Sequence, residues 1–166
     1  MFAAHKYLND IGIASDDLCI FNSTNTEDER MPRWMKQREE YGFDDRETWS
    51  FDFTLIGWLY SHLKMYLDIG GEIVNLEYHK FDIPVLEEIP EENRERIDGW
   101  NYPKRYQEET IKKDVTQKEA IETAVSYMKK YLKDNCCCDV ELEMRAHECA
   151  VCALKIVAAI FGALWW

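Results

Sequence analysis

The sequence lacks the excess of positive charge that direct nucleic-acid binding requires. It has 20 lysine and arginine residues against 32 aspartate and glutamate residues, a formal net charge of −12. Phosphates and anionic membrane surfaces repel such a chain. One small basic cluster occurs at Arg30, Arg33, Lys36 and Arg38, but two glutamates follow it at once, as in a solvated mixed-charge segment. We therefore expect no direct nucleic-acid partner, and we expect the negative field to attract a basic protein surface.

Catalytic motifs are also missing. The sequence contains no Gly-x-Ser-x-Gly, P-loop, dinucleotide-binding or His-Glu-x-x-His pattern. A set of carboxylates and one histidine does cluster in the sequence: Asp44, Asp45, Glu47, Asp52 and His62. We interpret Asp45, Arg46 and Asp52 as a structural ion-pair network, because a charge at Asp52 among aromatic residues requires a partner. We predict no catalytic residue, no cofactor and no enzymatic activity.

The N-terminal residues lack the long apolar run, led by basic residues, that marks a secretory signal peptide. Six cysteines without an export signal are expected to be reduced thiols in a cytosol. The best zinc candidates are His147, Cys149, Cys152 and the three cysteines at 136–138. Because Cys149 falls well inside a predicted helix, we expect buried core thiols and no metal, with zinc as the alternative.

Residues 41–67 combine a charged turn with an aromatic-rich helix. Asp44 or Asp45 is a suitable N-cap for that helix. Apolar residues then repeat at steps of four and three: Trp49, Phe53, Ile56, Tyr60, Leu63 and Leu67. Other aromatic and aliphatic residues widen this face. We predict a helix over 46–68 that ends at Gly70-Gly71 and is surrounded by other elements at the centre of the domain.

The last third of the chain predicts a helical hairpin. Thr116 and Glu119 have the spacing of a capping box for a helix that runs to about Asp134. Asp139 can cap a final helix over 140–164, and a short loop between the two makes the hairpin.

The C-terminal run from Cys149 to Trp166 is apolar except for Lys155, and its length is at the lower limit for a membrane span. Because a charge near the centre of a span is costly, we expect a buried core helix and no membrane contact, with a tail anchor as the alternative.

Between these helices we expect a short strand or extended segment near 72–82, and a charged surface excursion over 87–114. The predicted fold class is mainly α. It is a helical bundle with a buried aromatic-rich central helix and a C-terminal helical hairpin, in a single domain over 1–166.

Two segments carry a resemblance to a known group of proteins. The first is 34–52, which contains Gly-Phe-Asp-Asp-Arg-Glu-Thr-Trp, and the second is the terminal Phe-Gly-Ala-Leu-Trp-Trp. They resemble small, largely uncharacterised proteins encoded by bacteriophages and prophages, in which this turn opens an apolar helix and a helix ending in Leu-Trp closes the chain. The chain differs from that group at Ser61-His62-Leu63-Lys64, where Pro-Arg-Leu-Lys is usual. The resemblance implies a phage origin.

Together these features predict a phage-encoded accessory protein in the host bacterial cytoplasm. We expect it to bind and inhibit a host defence protein that has a basic surface, such as a CRISPR effector. The expected contact residues are the glutamates of the excursion: Glu87, Glu88, Glu91, Glu92 and Glu95. Three alternatives remain open, namely a ligand-binding protein or sponge for a signalling nucleotide, a metal-dependent enzyme, and a structural or replication accessory of the phage. Homo-oligomerisation is also open.

Overall fold

The structure is a computed structural model that describes residues 6–13, 28–49, 51–70, 72, 75–86, 110–135 and 140–164. The fold is mainly α, with one two-stranded antiparallel sheet. In chain order the elements are α1 (Lys6–Asn9), α2 (Met31–Tyr41), α3 (Arg46–Trp49), α4 (Phe51–Gly70), β1 (Lys80–Leu86), β2 (Thr110–Thr116), α5 (Gln117–Asp134), α6 (Val140–Ile160) and a 3-10 turn (Phe161–Ala163).

The chain divides into two compact units, Met1–His62 and Leu63–Trp166, with α4 contributing residues to both. In the first unit the buried apolar residues are Leu8, Ile11, Trp34, Ile56 and Tyr60. Helix α2 ends where Gly42 takes a φ of 83°, a left-handed conformation that favours glycine. The single domain over 1–166 stays a prediction.

The predicted helix over 46–68 is observed as α3 and α4, and α4 extends two residues further, to Gly70. Of its predicted inner face, Ile56, Tyr60 and Leu63 are buried. The helix is not apolar on one side only, however. Phe51, Trp58, Met65 and Ile69 are exposed. Where the sequence predicts a helix enclosed on most sides, the structure therefore leaves a second apolar face open.

Helices α5 and α6 form the predicted C-terminal hairpin. The capping box is confirmed, because the Thr116 side chain accepts a hydrogen bond from the backbone N–H of Glu119, and the Glu119 carboxylate accepts one from the backbone N–H of Thr116. The rings of Tyr131 and His147 meet near the loop end with centroids 5.2 Å apart. At the other end, Gln117 Nε2 donates to the Ala163 carbonyl over 2.7 Å. Contacts at both ends show that the two helices are antiparallel.

Both helices of the hairpin contribute large and small side chains to its core: Ala120 and Ala124 of α5 are buried, and so are Ile156 and Ile160 of α6. Helix α5 buries Ile121, Met128 and Tyr131, each fully shielded from solvent. The small buried residues of α6 are Ala146, Cys149, Ala150, Cys152 and Ala153. Small side chains let two helix backbones approach closely, and the large side chains fill the remaining space of the interface.

Helix α6 and the turn after it have the length and composition of a membrane-spanning helix. Leu142–Ala163 is long and apolar enough to cross a membrane by length and composition, with a mean hydropathy of 1.6. Core helices of soluble proteins satisfy the same criteria. Ala153, Ile156 and Ile160 are buried, and α6 packs against α5 and β1. This is the packing expected of a core helix.

The sheet pairs β1 with β2 in a register that places Phe81 opposite Val115 and Ile83 opposite Lys113. The strand expected near 72–82 therefore begins later, at Lys80, after a turn. The last residues of the predicted excursion, 110–114, lie in β2. Ile83 and Val115 are buried, so one face of the sheet packs inward.

Candidate functional site

The glutamates expected to bind a partner, Glu87, Glu88, Glu91, Glu92 and Glu95, lie outside the described residues. The structure does describe the charged turn at 41–49, where the sequence predicts an ion-pair network. Two carboxylates, Asp44 and Asp45, organise this turn in different ways.

Asp44 is the buried centre of the turn, with a side chain that has no solvent exposure. Its Oδ1 accepts hydrogen bonds from the backbone N–H of Arg46 over 3.1 Å and from Arg46 Nε over 2.9 Å. Its Oδ2 accepts from Arg46 Nη2 over 2.7 Å and from Arg38 Nε over 2.5 Å. Arg38 Nη2 also donates to Glu47 Oε1 over 2.8 Å. One carboxylate thus joins α2 to α3, and its bond to the Arg46 N–H makes Asp44 the cap of α3.

Asp45 faces α2 instead. Its carboxylate pairs with Arg33 and accepts a hydrogen bond from Trp34 Nε1 over 2.9 Å. Its backbone N–H donates to Gln37 Oε1 over 3.2 Å. The Arg46 guanidinium lies 4.0 Å from the centroid of the Trp34 ring, in cation–π geometry. The two adjacent aspartates therefore bind α2 at two separate places.

The pKa values in the turn follow from this geometry. Burial acts to raise the pKa of Asp44, but hydrogen bonds from Arg46 and Arg38 outweigh it and hold that pKa below its ordinary range. Burial raises the pKa of Glu47, and Arg38 only partly opposes the effect. Because Asp44, Asp45 and Glu47 all bind cationic or N–H donors, the turn has the character of a structural network.

The structure gives partners for two of the three residues predicted to form an ion-pair network, Asp45, Arg46 and Asp52. Arg46 pairs with Asp44, and Asp45 pairs with Arg33. Asp52 lies in the first turn of α4, and its place in the network stays a prediction. The sequence did not single out Asp44 and Arg38 as a pair. The sequence does contain a signal for this pair. Arg38 and Asp44 are six residues apart, on either side of a turn that contains Gly42, and such a turn brings the end of one helix close to the start of the next.

Cys149 and Cys152 lie on the buried side of α6. Cys152 Sγ donates to the Pro84 carbonyl over 3.4 Å, and burial raises the pKa of both thiols to about 11. In the part of the chain that the structure describes, no group of three or more histidine, cysteine or acidic side chains is placed to hold a metal. The cysteines at 136–138 lie outside that part.

An open groove of about 860 Å³ lies in the second unit, between the end of α4, residues 72–77 and the first half of α5. Its lining includes three lysines, Lys64, Lys118 and Lys129. Four carboxylates share the groove: Asp68, Glu72, Glu77 and Glu122. The lysine ammonium groups of Lys64 and Lys118 lie 3.8 Å from Asp68 and Glu77. The groove is thus mixed in charge, and none of the described residues that line it is aromatic.

Comparison with known proteins yields no relative, since no family model, no curated protein and no solved structure matches this chain.

Proposed function

We propose that this chain is a phage-encoded accessory protein that binds and inhibits a host defence protein by means of an acidic surface. The distribution of charge carries the proposal. Segment 87–109 contains eight acidic against four basic residues, and segment 14–27 contains three acidic and no basic ones. The described part of α5 and β2 is instead lysine-rich. Acidic charge concentrated in one segment suits a basic nucleic-acid channel, where carboxylates take the place of phosphates.

The phage-like motif at 42–49 supports the same proposal. In the structure this motif builds the Asp44 and Asp45 network that fixes α2 on α3. A motif with that role stabilises the fold and leaves partner binding to other segments. The inhibitor would act in the host bacterial cytoplasm, by binding and without catalysis.

The test is a plaque assay on bacterial strains that each carry one nucleic-acid-targeting defence system, with and without the protein. We expect it to restore plaques on at least one strain. A variant with glutamine at Glu87, Glu88, Glu91, Glu92 and Glu95 should lose that effect. The matched control has glutamine at five exposed glutamates elsewhere: Glu29, Glu39, Glu40, Glu72 and Glu122.

Both variants lose the same amount of negative charge, so only the position of the charge differs between them. Equal loss of protection in the two would refute the acidic segment as the contact surface. No protection by the wild-type protein on any strain would refute inhibition of those systems and favour a structural or replication role in the phage.

A second candidate function is binding of a signalling nucleotide, and the three lysines of the open groove favour it. Against it, four carboxylates line the same groove, and among its described lining residues there is no aromatic ring to stack on a base. A thermal-shift panel of nucleotides tests it, because a ligand that binds only the folded state raises the Tm. A Lys129→Glu variant should abolish any shift that arises in this groove.

We also infer that the mainly α chain forms a single helical bundle around α4. A single cooperative unfolding transition, coincident by circular dichroism and tryptophan fluorescence, is then expected. Two separate transitions would instead assign the units Met1–His62 and Leu63–Trp166 to independent domains.

A further inference from the structure

We draw no further inference here: the strongest candidate, the open groove between the end of α4, residues 72–77 and the first half of α5, belongs to the site already described for nucleotide binding, and nothing in the structure shows which other ligand its mixed lining of lysines and carboxylates selects.

Discussion

Asp44 binds Arg46 through both oxygens of its carboxylate, with Arg46 Nε 2.9 Å from Oδ1 and Nη2 2.7 Å from Oδ2. The same carboxylate accepts a hydrogen bond from Arg38, so its removal leaves two arginines without their shared partner. We expect Asp44→Ala to lower the free energy of unfolding by about 3 kcal/mol, as for other buried charge pairs. Urea titration followed by tryptophan fluorescence measures the change.

The control for that substitution is Asp28→Ala. Asp28 also binds an arginine through both oxygens, at 3.1 and 2.9 Å from Arg30, but the arginine is exposed and water replaces the contact. We expect little change in stability. Equal effects from Asp28→Ala and Asp44→Ala would contradict the central role of Asp44.

Acid should weaken the Asp44 contact. Its pKa in the folded chain lies below the ordinary 3.8, so its contribution is present above that value and is lost as the pH falls through the folded pKa. The stability difference between the wild type and Asp44→Asn should therefore be constant near neutral pH and shrink below pH 3.8. Urea titrations at several pH values measure it. A difference that persists into strong acid would show that the carboxylate charge is not responsible.

The pKa of Glu47 is shifted in the opposite direction from that of Asp44. Burial raises its pKa above 4.5, so any contribution from the protonated form is lost as the pH rises through the folded value. Because Gln cannot ionise, the stability of Glu47→Gln should not fall as the pH rises through this range. Its loss of stability in acid, which depends on Asp44, should remain.

The capping box at the start of α5 should contribute measurably to stability. Thr116→Ala removes the side chain that accepts the Glu119 N–H at 3.2 Å, and we expect a loss of about 1 kcal/mol, the usual effect of removing a threonine cap. Thr123→Ala is the matched control, because the Thr123 hydroxyl only donates to the Glu119 carbonyl within the helix. Thermal unfolding followed at 222 nm reports both. A smaller loss for Thr116→Ala than for Thr123→Ala would contradict the cap.

Cys149 and Cys152 should react slowly with thiol reagents. Both are buried, and their raised pKa of about 11 keeps almost all of each thiol protonated at neutral pH. A variant with serine at Cys19, Cys136, Cys137 and Cys138 retains only these two thiols. In it we expect negligible labelling by Ellman's reagent until urea unfolds the chain. Rapid labelling of the folded variant would show that α6 exposes this side.

Local sequence signals were sufficient for the helices. Thr116 and Glu119 define the start of α5 because both partners of the box lie within one helical turn. The strand pairing was not predictable in the same way. Residues 110–114 read as part of a charged excursion, since Lys112, Lys113 and Asp114 carry no strand-like alternation. They form β2 because β1 pairs with them across more than twenty intervening residues.

In the candidate site, too, the sequence predicts features that depend on neighbouring residues and does not predict contacts that depend on the fold. Asp44 or Asp45 was expected as a cap, which depends on immediate neighbours, whereas the bond of Asp44 to Arg38 depends on how the turn at Gly42 folds α2 back. The open face of α4 was missed for a different reason. Apolar residues on two sides of a helix predict burial on both, whereas in the structure Phe51 is 60% exposed and Trp58 is 43% exposed.

The two edges of the sheet, one on the β1 side and one on the β2 side, are protected in different ways. On the β1 side, the Cys152 thiol donates to the Pro84 carbonyl and the Tyr127 hydroxyl accepts the Leu86 N–H, so side chains of α6 and α5 already occupy the groups that another strand would need. On the β2 side, exposed Lys112 and Lys113 stand beside the border, and their charge discourages strand addition. In the part of the chain that the structure describes, the β2 side is therefore the one protected by charge alone. Acetylation of Lys112 and Lys113 would remove the charge that discourages strand addition at β2, and it would not change the occupied hydrogen-bonding groups of β1.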